Sequence, residues 1–210
     1  MQSKMTIEGV ILAGGLARRM GGKAKPLITL SGKSILSRAI DALQPQCAHL
    51  AINVNAELHR YRQFKLPILI DTIDGFIGPL AGVLAGMDAI ANERPESHLL
   101  LTAPGDTPFL PIDLVARLSS AKAAKQASIA VAVSGGRVHH TVALWDISLR
   151  DALRKALIDD GVRAVSEFIS RHKKVDVDWS IDPFDPFFNV NSPEDMEIAG
   201  EILTQQKMGD

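Results

Sequence analysis

From Ile7 to about residue 134, short apolar runs alternate with longer amphipathic ones, and that rhythm confines the chain to an α/β fold. Ile7–Ala13, Leu50–Val54, Ile68–Asp71, Leu99–Ala103 and Ile129–Val133 are predicted strands. Their all-apolar or β-branched character suits a sheet covered on both faces. Ser34–Leu43, Leu80–Asn92 and Ile112–Ala124 are predicted helices, and Leu80, Val83, Leu84 and Met87 share one helical face. Asp113, after Pro111, sets a carboxylate near the exposed N–H groups of a helix start. Strand–helix alternation implies a three-layer α/β/α, Rossmann-like architecture with a mostly parallel sheet. Its ligands should sit beyond the carboxyl ends of the strands.

Past residue 134 the rhythm changes. Gly135-Gly136 predicts a turn and His140–Trp145 a strand. Two amphipathic helices follow, Ser148–Ile158 and Val162–Ile169, then a short alternating strand, Lys174–Trp179. Phe187–Val190 reads as a last strand, and Ser192-Pro193-Glu194-Asp195 opens a C-terminal helix with Ser192 as its N-cap. No long Gly/Ser/Pro linker divides the chain, so residues 1–210 are expected to form one domain.

A net charge of −1 argues against whole-surface attraction to nucleic acid or membrane. No segment approaches the ~20 apolar residues of a membrane span, and the apolar run at Val10–Ala13 is too short for a signal peptide. The single Cys47 cannot form an internal disulfide, which fits a reducing cytoplasm; it reads as a small packing residue.

The first strand runs into Leu12-Ala13-Gly14-Gly15-Leu16-Ala17-Arg18-Arg19-Met20-Gly21-Gly22-Lys23-Ala24-Lys25. Glycines let backbone N–H groups approach an anion, and cations offset polyphosphate charge. No acid occurs between Glu8 and Asp41 to cancel Arg18, Arg19, Lys23, Lys25, Lys33 and Arg38. The stretch is not a P-loop, because Ala24 follows Gly22-Lys23 and Ala17 stands where its first glycine belongs. Nor is it the dinucleotide fingerprint, since Gly14 and Gly15 are adjacent. A nucleoside triphosphate site is the stronger reading, and a solvated Gly-rich turn the plainer alternative.

Two acids end predicted strands. Asp106, in Pro104-Gly105-Asp106-Thr107-Pro108, suits Mg²⁺, which needs only one or two carboxylates beside water and phosphate oxygens; a turn-capping aspartate explains it equally well. Asp71 precedes Gly75-Phe76-Ile77-Gly78-Pro79-Leu80-Ala81-Gly82, a turn that admits close approach by a base or ribose. Asn53 and Asn55 could hydrogen-bond a ligand or simply shape a turn. Asn189 and Asn191 first of all mark a strand end and helix start. His139 and His140 alternate across a strand and so do not readily share an ion; Trp145 and Trp179 read as core.

Taken together, Leu12-Ala13-Gly14-Gly15, Arg19-Met20-Gly21-Gly22, Lys25, Asp71, Gly78-Pro79-Leu80-Ala81-Gly82, Asp106-Thr107-Pro108 and Asn189-Val190-Asn191 resemble the molybdenum cofactor guanylyltransferase (MobA) family of the nucleotidyltransferase superfamily. The resemblance spans almost the whole chain. It implies transfer of GMP from GTP to the molybdopterin cofactor with release of pyrophosphate, and Mg²⁺ as the metal. By position, Leu12, Ala13, Gly14 and Gly15 would hold the nucleotide. Lys25 and Arg19 would meet phosphates, Asn53 and Asp71 the guanosine, and Asp106 both Mg²⁺ and a phosphate. Arg163 becomes a candidate contact to the pterin phosphate. Molybdenum-insertion proteins and apo-molybdoenzymes enter as further partners. The family usually reads Gly-Gly-x-Asp-Lys, so Ala24 is a departure. A molybdopterin cytidylyltransferase, another small nucleotidyltransferase, or a non-catalytic nucleotide-binding assembly factor are the competing functions.

Overall fold

The structure, a computed structural model, describes residues 6–14, 25–75 and 78–209. Its strands are β1 (Ile7–Leu12), β2 (Thr29–Leu30), β3 (Lys33–Ser34), β4 (His49–Asn53), β5 (Ile68–Leu69), β6 (Leu99–Pro104), β7 (Ile129–Ser134), β8 (Arg137–Asp146) and β9 (Lys174–Trp179). Its helices are α1 (Ile35–Leu43), α2 (Pro79–Glu93), α3 (Leu114–Lys125), α4 (Arg150–Ile158), α5 (Val165–Ser170) and α6 (Pro193–Gly209). Seven strands form one sheet in the order β5-β4-β1-β6-β8-β7-β9. Only β8 runs antiparallel to its neighbours, so the sheet is mostly parallel, as expected.

Alternation along β1 explains the layers. Ile7 and Ile11 join a core with α1 and α3, whereas Val10 and Leu12 join one with α2, α4 and α5. Both faces of the sheet are therefore covered, which is why its strands read as continuous apolar runs. A third cluster (Leu30, Ile35, Phe109, Val190, Ala199, Ile202 and Leu203) packs α6 beside the β2–β3 hairpin. Trp145 and Trp179 are both buried core residues.

The chain leaves β1 toward β4 and β5, and leaves β6 toward β7 and β8, so connections diverge between β1 and β6. That divergence opens a crevice at the carboxyl ends of these two strands, the place where such sheets bind ligands.

Several predicted elements differ; the strand at Ile68–Asp71 ends at Leu69, and three others differ more. Phe187–Val190 is not a strand: the Asp185 carboxylate accepts from the Phe187 N–H at 2.9 Å, the Asp185 carbonyl from the Phe188 N–H at 3.1 Å, and the Asp106 carbonyl from the Val190 N–H at 2.9 Å. Single bonds to three different acceptors leave no ladder. The strand at His140–Trp145 is longer, starting at Arg137, because Gly135 and Gly136 take positive φ and close a two-residue hairpin. Helix α5 starts only at Val165. Asp113 lies just before α3, but makes no cap; its carboxylate accepts from Trp179 Nε1 at 3.1 Å. Ser192 is the N-cap expected: its Oγ accepts from the Asp195 N–H at 3.2 Å while the Asp195 carboxylate accepts from the Ser192 N–H at 2.9 Å.

Candidate functional site

Leu12, Ala13 and Gly14 leave β1 between the ends of its two neighbours. The Ala13 N–H donates to the Asn53 carbonyl at 2.9 Å, and the Gly105 N–H to the Leu12 carbonyl at 3.0 Å. These bonds fix the start of the glycine-rich stretch against β4 on one side and the Asp106 loop on the other.

On the β4 side, Asn53, Asn55 and Asp71 form one hydrogen-bonded group. Asn53 Nδ2 donates to Asp71 Oδ1 at 2.9 Å and Asn55 Nδ2 to Asp71 Oδ2 at 2.7 Å. The Asp71 N–H returns a bond to Asn55 Oδ1 at 2.8 Å. Asn53 is buried, whereas the Asp71 carboxylate keeps contact with solvent. Gly14 lies over this group, within 4 Å of both asparagine side chains from where its Cβ would be. Gly82 on α2 has the complementary job: a Cβ there would overlap the Asn53 amide and press on Leu12. The glycine after Gly78-Pro79-Leu80-Ala81 thus admits a protein side chain, where the sequence suggested room for a base.

On the β6 side, Asp106 lies close to Lys25, whose Nζ donates to Asn191 Oδ1 at 3.0 Å. Burial pushes the Asp106 carboxyl above the usual carboxylate range; Lys25 and the residue's own backbone N–H oppose that shift. Asn189 and Asn191 hold this corner from the far end of the chain. Thr107 Oγ1 donates to Asn189 Oδ1 at 2.5 Å, and Val190 binds the Asp106 carbonyl. Asp106 has no side-chain hydrogen bond or salt bridge to another described residue. A half-buried carboxylate disfavoured by burial gains from a second cation, so Mg²⁺ with water and phosphate oxygens fits its chemistry. Among the described residues, no cluster of three or more His, Cys, Asp or Glu could hold an ion alone.

Beside Asn189 opens a cleft of about 360 Å³, bordered by Pro79, Arg137 to Thr141 and Arg163 to Ser166. Its wall is made by an irregularity: β7 pairs Val131 with Ala143 but Ala132 with His139, leaving His140, Thr141 and Val142 without partners on β7. Both His139 and His140 therefore border the cleft, where a regular strand would have parted them. Arg163 Nη1 donates to the Leu157 and Val162 carbonyls at 3.1 and 2.9 Å.

The geometry brings together Leu12, Ala13, Gly14, Asn53 and Asp71, and separately Lys25 and Asp106. Gly15 and Arg19, with Ala24, lie outside the described residues. Two of the cations counted with the loop are engaged elsewhere: Lys33 pairs with Asp41, and Arg38 donates to the Leu30 carbonyl at 2.7 Å. Thr107 and Arg137 were missed. Thr107 stood in the Asp106-Thr107-Pro108 motif without a role of its own, and Arg137 only as the residue after Gly135-Gly136.

No helix among the described residues is long and apolar enough to cross a membrane. Residues 9–175 match the MobA-like NTP transferase domain family. A molybdenum cofactor guanylyltransferase of Rhodopseudomonas palustris (strain BisB5) is 53% identical over 193 residues, 92% of each chain. The crystal structure of molybdopterin-guanine dinucleotide biosynthesis protein A from Archaeoglobus fulgidus superimposes with a TM-score of 0.74 at 21% identity, covering 94% of this chain and 99% of that one. A Mycobacterium tuberculosis protein in complex with manganese superimposes with a TM-score of 0.69 at 17% identity, covering 94% and 99%. These two share the fold. With its sequence matched over most of its length and its architecture shared, the chain belongs to the MobA-like NTP transferase family.

Proposed function

We propose that this chain transfers GMP from GTP to the terminal phosphate of molybdopterin, forming the guanine dinucleotide and releasing pyrophosphate. The observation that carries the reading is the division of the crevice into two halves. An acceptor-rich group at Asp71 lies on the β4 side of β1, and a cation–carboxylate pair at Lys25 and Asp106 on the other. A guanine edge presents neighbouring N–H donors at N1 and N2, which suit a carboxylate with free lone pairs; cytosine presents a single amino group. The name of the Rhodopseudomonas relative supports the same base and acceptor.

In this reading Leu12, Ala13, Gly14 and Gly15 carry the backbone past the nucleotide, and Asn53 and Asp71 hold the nucleoside. The acceptor phosphate attacks the α-phosphorus of GTP, forming a new P–O bond as the α–β bridging bond breaks and pyrophosphate leaves. The nucleophile is already anionic, so the chain need not supply a strong base. Its work is to align two anions and to stabilise charge on the leaving group. Lys25, beside Asp106, meets the phosphates, and Arg19 joins it by its position in the motif. Mg²⁺ on Asp106 would neutralise phosphate charge; the manganese complex of a structural neighbour is in keeping with a divalent cation. The cleft beside Asn189, with Arg137 and Arg163 on its rim, is the place for the acceptor.

Competition between GTP and CTP, with molybdopterin as acceptor and dinucleotide as readout, tests the assignment. Product from GTP is expected. Turnover of CTP alone would replace the guanylyl reading with a cytidylyl one, and nucleotide binding without product would replace it with a non-catalytic assembly role.

A further inference from the structure

Ser134, at the end of β7, has a single hydroxyl proton and two polar partners. Its Oγ donates to Asp185 Oδ1 at 2.7 Å and lies 2.7 Å from His139 Nε2. Asp185 Oδ1 also accepts the Phe187 N–H, so this oxygen is an acceptor of two bonds. With the Ser134 proton committed to Asp185, the bond to His139 needs a proton on Nε2. Hydrogen-bond counting therefore fixes the neutral imidazole as the Nε2–H tautomer and leaves Nδ1 as an acceptor.

The ring itself is held. Ser134 is 2% and His139 7% exposed, and the imidazole packs on Phe187 with ring centroids 4.8 Å apart. Burial is the main force lowering the His139 pKa; Asp185 opposes it, and Arg137 and His140 add to it. Nδ1 has no hydrogen-bond partner among the described residues. It is also absent from the fully enclosed unpaired atoms of those residues, which are Arg38 Nε and Ser119 Oγ. The open space beside His139 is the cleft bordered by Arg137, Arg163 and Asn189.

We propose that His139 is a specificity-determining residue for the acceptor, its Nδ1 accepting a hydrogen bond from an N–H of the pterin, with Ser134 and Asp185 as positioning residues that fix the tautomer. This rests on the cleft being the acceptor site. Arginines on the rim suit any anionic group, whereas an uncharged acceptor atom reads the heterocycle.

Two glutamine–asparagine variants separate this role from a structural one. In H139Q the side-chain N–H₂ stands near the place of Nε2 and keeps the bond to Ser134, but the acceptor at Nδ1 is lost. In H139N the side-chain oxygen stands at the place of Nδ1 and the bond to Ser134 is lost. The expected result is a KM for molybdopterin raised about tenfold in H139Q, the scale of one hydrogen bond. H139N should be less affected, with KM for GTP unmoved in both. The reverse order, or equal losses, overturns the proposal. In the wild-type protein, long-range ¹H–¹⁵N spectra should show His139 protonated on Nε2, and a shift of Nδ1 when molybdopterin is added. A proton on Nδ1 in the free protein, or no shift with bound molybdopterin, overturns the proposal without reference to turnover. A shift of Nδ1 in a protein that forms no product supports it and overturns the guanylyl-transfer reading instead.

Discussion

Lys25 Nζ donates to Asn191 Oδ1 at 3.0 Å, tying the end of the glycine-rich stretch to the start of the last helix. Asn191 is itself fixed, its N–H donating to the Asp195 carboxylate at 2.7 Å. The ammonium is thereby kept beside Asp106. K25A and D106A should each reduce turnover by roughly 10²–10³-fold, the scale of losing one charge-stabilising group at a transition state. N191A should cost less, about tenfold, because the cation stays but its position is no longer fixed. Pyrophosphate release gives all three, with thermal unfolding to show that the fold persists. Undiminished release in both K25A and D106A would sink the site.

The segment that follows Asp71 is anchored to the far layer of helices. Thr72 Oγ1 donates to Asp88 Oδ2 at 2.9 Å, and Arg154 of α4 grips the same carboxylate at 2.6 and 2.7 Å. Asp88 is nearly buried on α2, so its rotamer is held by Arg154 and in turn holds Thr72. T72V removes only the hydroxyl and should raise KM for GTP about fivefold, with kcat little changed, the scale of one neutral hydrogen bond. T72S should restore most of the affinity. A KM for GTP that does not respond to T72V would detach this anchor from the nucleotide site.

Gly82 carries the packing of the site. Its missing Cβ is what lets the Asn53 amide lie against α2, with Leu12 on the other side. G82A would gain helix propensity on the order of 1 kcal/mol. It would also push Asn53 off Asp71, in a place where overpacking costs about 1–3 kcal/mol. The variant should therefore melt no higher than wild type and bind GTP more weakly. Tighter binding, or a clear rise in Tm, would show that Asn53 has room to spare.

Much of this was legible in the chain. Unbroken apolar runs such as Leu99–Leu101 announce strands covered on both faces, and Asp71 and Asp106, by following such runs, mark the carboxyl edge of the sheet. What could not be read depends on contacts between distant residues. Nothing near Thr107 points to Asn189, which reaches it from 82 positions away. The irregular pairing of β8 that places both His139 and His140 at the cleft arises from register against β7, which the local alternation of the sequence does not encode. The expected strand at Phe187–Val190 failed for a related reason: its N–H groups are claimed by Asp185 and Asp106 one at a time.

Cys47 predicts how stability responds to alkali. Its sulfur packs so closely on Gly9 that a Cβ on that glycine would meet it at 2.8 Å. Burial pushes the thiol up to about 12, with Glu8 adding to the shift, against an ordinary value of 9.0. Above pH 9 the unfolded chain sheds this proton while the folded chain keeps it. The folded state then binds more protons, and stability falls as pH rises. One proton contributes a slope of about 1.4 kcal/mol per pH unit. Tyr61, also raised by burial, adds to the same fall in both proteins. C47A should thus start less stable, because a packed side chain is lost, yet lose stability more slowly between pH 9 and 11. Urea unfolding under reducing conditions across that range checks this. Parallel curves for the two proteins would mean that the thiol ionises freely in the folded state, and rapid alkylation of Cys47 near pH 8 would say the same.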